Sequence, residues 1–215
     1  MGYVFDLDGT LVDSVPSLLR VVNSVLLDNG LRPSDRKENL SVAGWGLEYM
    51  FRRTLENRIE DPVAIGKLKD RMLKLYSEDP VTGSVGYEGA YGFLKRLQDA
   101  GERFALITNK HEKPALDIIG NCFPDIAFAR IYSPDGGWKL KPSPDGLEDF
   151  KRNVLGGERL IFIGDTELDY QTAMGIADEV YLALWGYRGR ERLVELGLPE
   201  DVMIEDFSEI PLRRG

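Results

Sequence analysis

Short apolar runs alternate with helix-like segments along most of this 215-residue chain. Alternation at this length is typical of βαβ units, whose strands lie parallel in one sheet. The runs are apolar throughout and do not alternate with polar residues, so we expect helices to cover both faces of that sheet. The predicted fold is therefore α/β, with a doubly wound parallel sheet. The predicted strands are 3–5, 103–108, 127–132, 160–163 and 179–184.

One long segment departs from the strand–helix pattern. From Val15 onward, apolar residues recur at the spacing of one helix face, and the same spacing returns through 47–55 and 65–75. No strand pattern occurs between these stretches. We predict an all-helical insert, residues 15–85, within an α/β core that comprises 1–14 and 86–215.

The composition disfavours some kinds of binding partner and excludes some kinds of metal site. The chain has 27 Lys and Arg against 36 Asp and Glu, a net charge of −9, and no basic cluster that would suit a nucleic acid. No apolar run approaches the ~18 residues needed to cross a membrane. The N-terminus does not resemble a signal peptide, so we expect a cytoplasmic protein. Cys122 and His111 are the only residues of their kinds, which excludes intrachain disulfides and zinc sites rich in thiolates or imidazoles.

Acidic and hydroxyl residues follow the first two predicted strands of the core. Asp6 and Asp8 come directly after strand 3–5, and their i, i+2 spacing points both side chains the same way in an extended segment. An Asp-rich turn is the structural alternative. Thr108 and Asn109 end the second strand, where a hydroxyl and backbone N–H groups suit an anion. Capping of the next helix is the alternative there.

Two further signals lie later in the chain. Lys139 and Lys141 precede a proline-rich turn that can hold a lysine rigidly, although a solvated basic pair is the alternative. Asp165 and Asp169 follow strand 160–163, and their i, i+4 spacing predicts that they share a helix face. Asp165 as a helix N-cap is the alternative. Acids gathered at one sheet edge repel one another, and Mg²⁺ would relieve that repulsion.

Taken in this order, the four signals resemble the motifs of the haloacid dehalogenase superfamily, and in particular its phosphoglycolate phosphatase-like branch. The resemblance extends over nearly the whole chain and implies that the helical insert is a cap over the active site. The stretches that carry it are Phe5–Ser14, Ile107–Lys110, Lys141–Pro144 and Gly164–Asp169.

The resemblance implies a role for each residue of the motifs. Asp6 would be the nucleophile that becomes an aspartyl-phosphate, and Asp8 the acid and base for the leaving alcohol and for water. An acid at position 8 favours phosphoryl transfer over dehalogenation, because a halide leaves without a proton. Mg²⁺ would be held by Asp6, the backbone carbonyl of Asp8 and Asp165, with Asp169 close by. The phosphoryl oxygens would be held by Thr108, the Asn109 backbone N–H and Lys141.

The segment Gly44–Gly46 is similar to the substrate-facing part of the cap in this branch. It implies specificity roles for Trp45, Gly46, Arg52 and Arg53, with packing and a solvated helix face as the alternatives. Phosphoglycolate phosphatases often carry a basic residue just before the paired glycines, whereas this chain has apolar and hydroxyl residues at 40–42.

The predicted function is a Mg²⁺-dependent phosphatase for a small phosphate monoester, phosphoglycolate-like, acting as a monomer or homodimer. Three alternatives stay open at the level of sequence. A sugar-phosphate mutase of the same superfamily would share every motif. A phospho-accepting signalling domain also combines acids, Mg²⁺, a threonine and a lysine, but its acceptor aspartate lies on a middle strand and it has no helical insert. The third alternative is a binding module without catalysis, which the four intact motifs disfavour.

Overall fold

The computed structural model describes residues 1–212, and its main feature is a six-stranded sheet. All neighbouring strands are parallel, in the order β5-β4-β1-β6-β7-β8. A separate antiparallel pair joins β2 to β3. The strands are β1 (Gly2–Phe5), β2 (Val12–Asp13), β3 (Val85–Gly86), β4 (Arg103–Ile107), β5 (Arg130–Tyr132), β6 (Leu160–Gly164), β7 (Glu179–Ala183) and β8 (Met203–Ile204).

Helices connect these strands and cover the sheet on both faces. Along β1, Tyr3 and Phe5 pack against α5 and α6, whereas Val4 between them packs against α7 and α8. Successive strand residues point to opposite faces, so both faces are buried and the doubly wound α/β prediction is confirmed. The helices are α1 (Val15–Asp28), α2 (Arg36–Leu40), α3 (Leu47–Glu56), α4 (Pro62–Glu78), α5 (Ala90–Asp99), α6 (Glu112–Cys122), α7 (Asp145–Asp149), α8 (Glu167–Ala173) and α9 (Gly189–Glu195).

The helical insert has an apolar cluster of its own. Helices α1, α3 and α4 contribute most of its buried residues, and Phe51 meets Tyr76 edge to face at 6.4 Å between ring centroids. The boundary of the insert at 15–85 stays a prediction.

The chain enters and leaves the insert through a two-stranded ribbon. Asp13 in β2 is the register partner of Val85 in β3, and Val12 is the partner of Gly86. The two connections between core and insert therefore lie side by side, and each satisfies backbone hydrogen bonds of the other.

The predicted strands of the core are all present, with ends shifted by a few residues. Helix α9 and strand β8 were not predicted, since β8 has only two residues and no recognisable pattern. Helix α7 continues into a π-helical turn, Phe150–Val154. Within residues 1–212, no helix combines the length and the apolar character needed to cross a membrane.

Candidate active site

The parallel strands bring four loops to one edge of the sheet. Asp6 follows β1, Thr108 follows β4, Asp165 follows β6 and Tyr187 lies in the loop after β7. Because β4, β1, β6 and β7 are neighbours in the sheet, these loops meet where open α/β folds bind ligands. A cavity lies between this edge and the helical insert, and Asp6, Asp8, Thr108, Asn109 and Lys141 all line it.

Asp6 is almost completely buried, with 4% of its surface exposed. Its Oδ1 accepts a hydrogen bond from the Leu7 N–H at 2.7 Å and lies 2.8 Å from Lys141 Nζ. Burial raises the pKa of Asp6 to about 7, although Lys141 lowers it and the neighbouring carboxylate of Asp169 adds to the rise. No hydrogen bond among residues 1–212 uses Oδ2, so that oxygen is free to attack an electrophile.

Lys141 joins two carboxylates at the base of the cavity. Its Nζ lies 2.8 Å from Asp6 Oδ1 and 2.7 Å from Asp169 Oδ1. Burial lowers the pKa of Lys141, but the carboxylates of Asp169 and Asp6 outweigh that effect and hold it above its usual value. Lys139, two residues earlier, is 75% exposed and pairs with Asp145 at 3.0 Å, outside the cavity. Only Lys141 of the two is placed to neutralise an anion beside Asp6.

Asp169 is oriented by the first turn of α8. Its Oδ2 accepts hydrogen bonds from the N–H groups of Asp165 and Thr166 and from the Thr166 hydroxyl, which forms a capping box at the start of that helix. The prediction that Asp165 and Asp169 share a helix face is wrong, because Thr166 is the N-cap and Asp165 precedes the helix. The two acids converge because the Asp169 side chain folds back towards the loop.

Asp165 is fully buried between two glycines. Its Oδ2 accepts a hydrogen bond from the Tyr187 N–H at 2.7 Å. A Cβ on Gly9 would lie 2.2 Å from Asp165 Oδ2, and one on Gly186 would lie 2.4 Å from Asp165 Cβ. Burial raises the pKa of Asp165 well above its usual range, and the carboxylates of Asp169 and Asp6 add to that rise. The two glycines therefore leave just enough room for the Asp165 side chain. Its ionised form is unfavourable there unless a positive charge lies beside it.

Three carboxylates converge closely enough to share a metal ion. One oxygen from each of Asp6, Asp165 and Asp169 lies within 4.8 Å of the other two. Buried carboxylate oxygens are hard ligands, and they suit a hard divalent cation. The Asp169 oxygens already accept from Lys141, Thr166 and backbone N–H groups, so this residue is better placed to orient its neighbours than to give up both oxygens to a metal.

Asp8 lies on the side of the cavity nearer to the insert. Its Oδ1 accepts a short hydrogen bond from the Ser14 hydroxyl and lies 3.0 Å from Lys110 Nζ. The Ser14 hydroxyl is also 3.0 Å from Tyr187 Oη, and Lys110 Nζ donates to Tyr76 Oη of α4 at 2.6 Å. The sequence prediction gave no role to Ser14 and Lys110, which contact Asp8, or to the two tyrosines that contact them. The rule that ligands gather at strand ends applies to the loop after β7 as well, but it does not single out Tyr187 within that loop.

Thr108 and Asn109 face the cavity and do not cap the next helix. The N-cap of α6 is His111. The Lys110 N–H donates to Thr108 Oγ1, which leaves the hydroxyl proton for an acceptor, and the Asn109 backbone N–H has no protein acceptor within residues 1–212. The Asn109 side chain donates to the Gly44 carbonyl of the insert at 2.9 Å and accepts from the Lys141 N–H at 2.7 Å. Asn109 therefore ties the lysine loop to the insert.

The structure separates the predicted specificity residues of the insert. Gly46 lines the cavity at Asp6, whereas Trp45 is 45% exposed and lies outside it beside Tyr49, with ring centroids 5.9 Å apart. Arg52 and Arg53 form exposed ion pairs with Glu56 at 2.8 and 2.7 Å. The geometry thus gathers Asp6, Asp8, Thr108, Asn109, Lys141, Asp165 and Asp169, and it leaves Trp45, Arg52 and Arg53 elsewhere. The roles assigned to these residues stay predictions.

A buried arginine of the core holds the loop between α2 and α3. Arg188 pairs with Glu167 through two nitrogens, at 2.8 and 3.1 Å. Its remaining hydrogen bonds go to the carbonyls of Leu40 at 2.8 Å and Ala43 at 2.9 Å. Glu167 lies between Asp165 and Asp169 in sequence, so this cluster connects the acidic loop to the wall of the cavity.

Comparisons with known proteins agree with this geometry. A family model described as haloacid dehalogenase-like hydrolase matches residues 3–178. A phosphoglycolate phosphatase of Rhodobacter capsulatus is 34% identical over 212 residues, which cover 97% of this chain and 94% of that protein. Another from Rhodospirillum rubrum is 27% identical, with coverage of 96% and 88%.

Solved structures share the fold over nearly the whole chain. A predicted phosphoglycolate phosphatase from Haemophilus somnus superposes with a TM-score of 0.83 at 22% identity, covering 96% of this chain and 94% of that one. A haloacid dehalogenase-like family protein from Streptococcus pneumoniae gives 0.72 at 21% identity, covering 92% and 90%. At such identities the likeness concerns the fold alone.

Proposed function

Since the chain belongs to the haloacid dehalogenase-like hydrolase family and is a phosphatase, we propose that it hydrolyses a small, phosphoglycolate-like phosphate monoester through an aspartyl-phosphate on Asp6. The observation that carries this proposal is the environment of Asp6. One of its oxygens is held by Lys141 and the Leu7 N–H, and the other is free beside groups that can bind phosphoryl oxygens.

The first half of the reaction forms the aspartyl-phosphate. Asp6 Oδ2 attacks phosphorus, the bond from phosphorus to the ester oxygen breaks, and Asp8 gives its proton to the departing oxygen. The Thr108 hydroxyl, the Asn109 N–H and Lys141 hold the phosphoryl oxygens, which is the positioning and charge stabilisation that phosphoryl transfer requires. Asp8 is then ionised and ready for the second half.

The second half releases inorganic phosphate. Asp8 takes a proton from a water molecule, whose oxygen attacks phosphorus, and the bond to Asp6 breaks to regenerate the carboxylate. Lys110 and Ser14 hold Asp8 in place through both halves. The insert covers the cavity as a cap, which keeps bulk water away from the intermediate.

The acidic cluster supports a Mg²⁺ requirement. Asp6, the backbone carbonyl of Asp8 and Asp165 would hold the ion, while Asp169 orients Lys141 and the acidic loop. When bound, Mg²⁺ supplies positive charge that lets an anionic carboxylate approach an anionic ester.

Phosphate release from a panel of esters tests the proposal. The panel contains phosphoglycolate, hexose phosphates, nucleoside monophosphates and pyrophosphate, each with Mg²⁺ and with EDTA. We expect release that disappears with EDTA and falls by several orders of magnitude in Asp6→Asn, because the amide is no nucleophile. Trapping of ³²P on the wild type after acid quench would identify the covalent intermediate.

Two results would contradict the proposal. Undiminished hydrolysis by Asp6→Asn would remove Asp6 from the reaction. A folded wild type that releases no phosphate from any ester would exclude a general phosphatase, and transfer of phosphate between sugar positions in the same samples would then identify a mutase.

A further inference from the structure

The part of the cavity wall contributed by the insert is apolar. Its side chains come from α1, from the loop before α3 and from α3 itself: Leu18, Val42, Ala43, Leu47 and Met50, with backbone from Gly44 and Gly46. No charged side chain of residues 15–85 lines this cavity. Recognition of a charged leaving group must therefore come from the core.

The core supplies two lysines to the cavity, and both are anchored by carboxylates. An ammonium group has three N–H donors. Lys141 uses two of them on Asp6 and Asp169. Lys110 likewise uses two, on Asp8 at 3.0 Å and on Tyr76 Oη at 2.6 Å. Among residues 1–212, each lysine is left with one donor for a ligand.

The two remaining donors serve different ends of a substrate. Lys141 stands beside Asp6, where the phosphoryl group reacts, and Lys110 stands beside Asp8, which protonates the leaving oxygen. The Lys110 side chain is 1% exposed, so bulk water does not compete for its third donor. An anionic group close to the ester oxygen would meet Lys110 once the phosphoryl group is in place.

We propose that Lys110 is a specificity-determining residue that binds a carboxylate on the leaving-group side of the substrate. This inference rests on the proposed phosphatase function and adds to it a residue that selects the leaving group. A lysine of the core would thus bind the negative charge of the leaving group, which the apolar wall of the insert cannot bind. Sugars and nucleosides are disfavoured by the same geometry, because their hydroxyls would be buried against Leu18, Leu47 and Met50 without partners.

The test compares two esters that differ mainly in that charge. Phosphoglycolate carries the carboxylate, and propyl phosphate replaces it with an alkyl group of similar length. The quantity measured is the ratio of kcat/KM for phosphoglycolate to kcat/KM for propyl phosphate. In the wild type we expect a ratio far above one. Lys110→Met keeps the length of the side chain and removes its charge, and it should lower the ratio about 10–100-fold, chiefly through KM for phosphoglycolate.

The ratio separates specificity from a general effect on catalysis. Loss of the contact with Asp8 would slow both esters, and propyl phosphate at least as much because its leaving group is the poorer one, so this loss would not lower the ratio. The matched control is Lys139→Met, the same substitution at an exposed lysine outside the cavity, which should change neither ester. If Lys110→Met does not fold, Lys110→Gln is used, since its amide can still donate to Asp8.

The possible outcomes are distinct. A ratio that falls in the Lys110 variant and not in Lys139→Met supports the inference. Equal loss for both esters, or a wild-type ratio near one, overturns it and leaves the phosphatase proposal intact. Failure of the wild type to hydrolyse either ester, or any other in the panel, overturns the phosphatase proposal and this inference with it.

Discussion

At the scale of single residues, Asp6 and Asp8 are two similar side chains in different environments. Asp6 is buried against Lys141, whereas Asp8 is partly exposed and contacts Ser14 and Lys110. Two carboxylates that differ in this way can divide the roles of nucleophile and proton donor.

Asp8→Asn should lower kcat most for esters whose leaving oxygen needs a proton. We expect kcat to fall about 10²–10⁴-fold for an alkyl phosphate, whose alkoxide needs a proton, and far less for acetyl phosphate, whose acetate does not. Steady-state rates on both substrates give the comparison. An equal fall on both would show that Asp8 serves some purpose other than protonation of the leaving group.

Glu38 in the insert makes a pH-dependent contribution to stability. It pairs with Arg58 through both oxygens, at 2.5 and 2.7 Å, and the hydrogen bonds from Arg58 lower the pKa of Glu38 to about 2 against the opposing effect of burial. A lowered pKa in the folded state stabilises the fold above the unfolded value of about 4.3, and this stabilisation is lost as the pH falls towards 2.

Urea unfolding of Glu38→Gln measures that contribution. At pH 7 we expect a loss of about 1 kcal/mol in the free energy of unfolding, allowing for screening by solvent. The difference from wild type should shrink steadily below pH 4. Glu56→Gln is the control, since its pairs with Arg52 and Arg53 are exposed and its loss should be smaller. A difference that is constant with pH would contradict the assignment.

The sequence predicted the residues at the sheet edge better than it predicted their neighbours. Asp6, Lys141 and Asp169 could be found because strand ends and motif spacing converge on them. The pairing of Ser14 with Tyr187 could not, because it spans 173 positions and depends on how the loop after β7 folds over the cavity. Hydrogen bonds of that kind leave no local pattern.

At the scale of elements, strands were predictable where burial on both faces made them apolar. Strand β6 is buried at every position, and its pattern is unmistakable. Strand β8 forms one edge of the sheet and has only two residues. Such a short strand shows no recognisable hydrophobic pattern. Helix α8 begins at Glu167 with Thr166 as its N-cap, so the i, i+4 spacing of Asp165 and Asp169 does not place both acids on the helix.

Arg188 should govern how firmly the loop between α2 and α3 is held. Replacement by Met removes donors from the carbonyls of Leu40 and Ala43 and leaves Glu167 without its partner. We expect amide exchange across residues 40–46 to rise about tenfold and KM to increase, since the same loop lines the cavity. Hydrogen exchange followed by mass spectrometry provides the measurement.

Arg190→Met is the matched control for that experiment. Arg190 is two residues away and forms exposed pairs with Glu200 and Glu205. Its replacement should leave exchange at 40–46 unchanged. Equal exchange in the two variants would mean that Arg188 does not hold the loop.

At the scale of the whole molecule, the site lies where two separately packed parts meet. The core and the insert have their own apolar clusters, and four carboxylates gather with two lysines where these parts meet. Two of the carboxylates and both lysines line the cavity, and the other two carboxylates are buried next to Asp6. Excess buried negative charge opposes folding, so the site lowers the stability of the metal-free protein in favour of function. The four carboxylates are Asp6, Asp8, Asp165 and Asp169.

Asp165→Asn should therefore raise the melting temperature of the metal-free protein. Relief of about 1–3 kcal/mol would correspond to roughly 2–12 °C for a chain of this size. Mg²⁺ should raise the melting temperature of the wild type by mass action and have little effect on the variant. Calorimetry with and without Mg²⁺ tests both expectations.

The control for Asp165→Asn is Asp99→Asn, an exposed acid paired with Lys95 on α5. It should keep the full response to Mg²⁺. A wild-type response that persists in Asp165→Asn would move the metal away from the acidic cluster.

The β2–β3 ribbon would allow the insert to be removed without changing the order of strands in the core sheet. Asp13 and Val85 face each other in antiparallel register, a spacing that a two-residue hairpin turn can close. Excision of the residues between them would break no pairing in the six-stranded sheet, because none of its strands comes from that segment. The same junction could accept a helical insert from another protein, so that the insert could be exchanged while the α/β core stays unchanged.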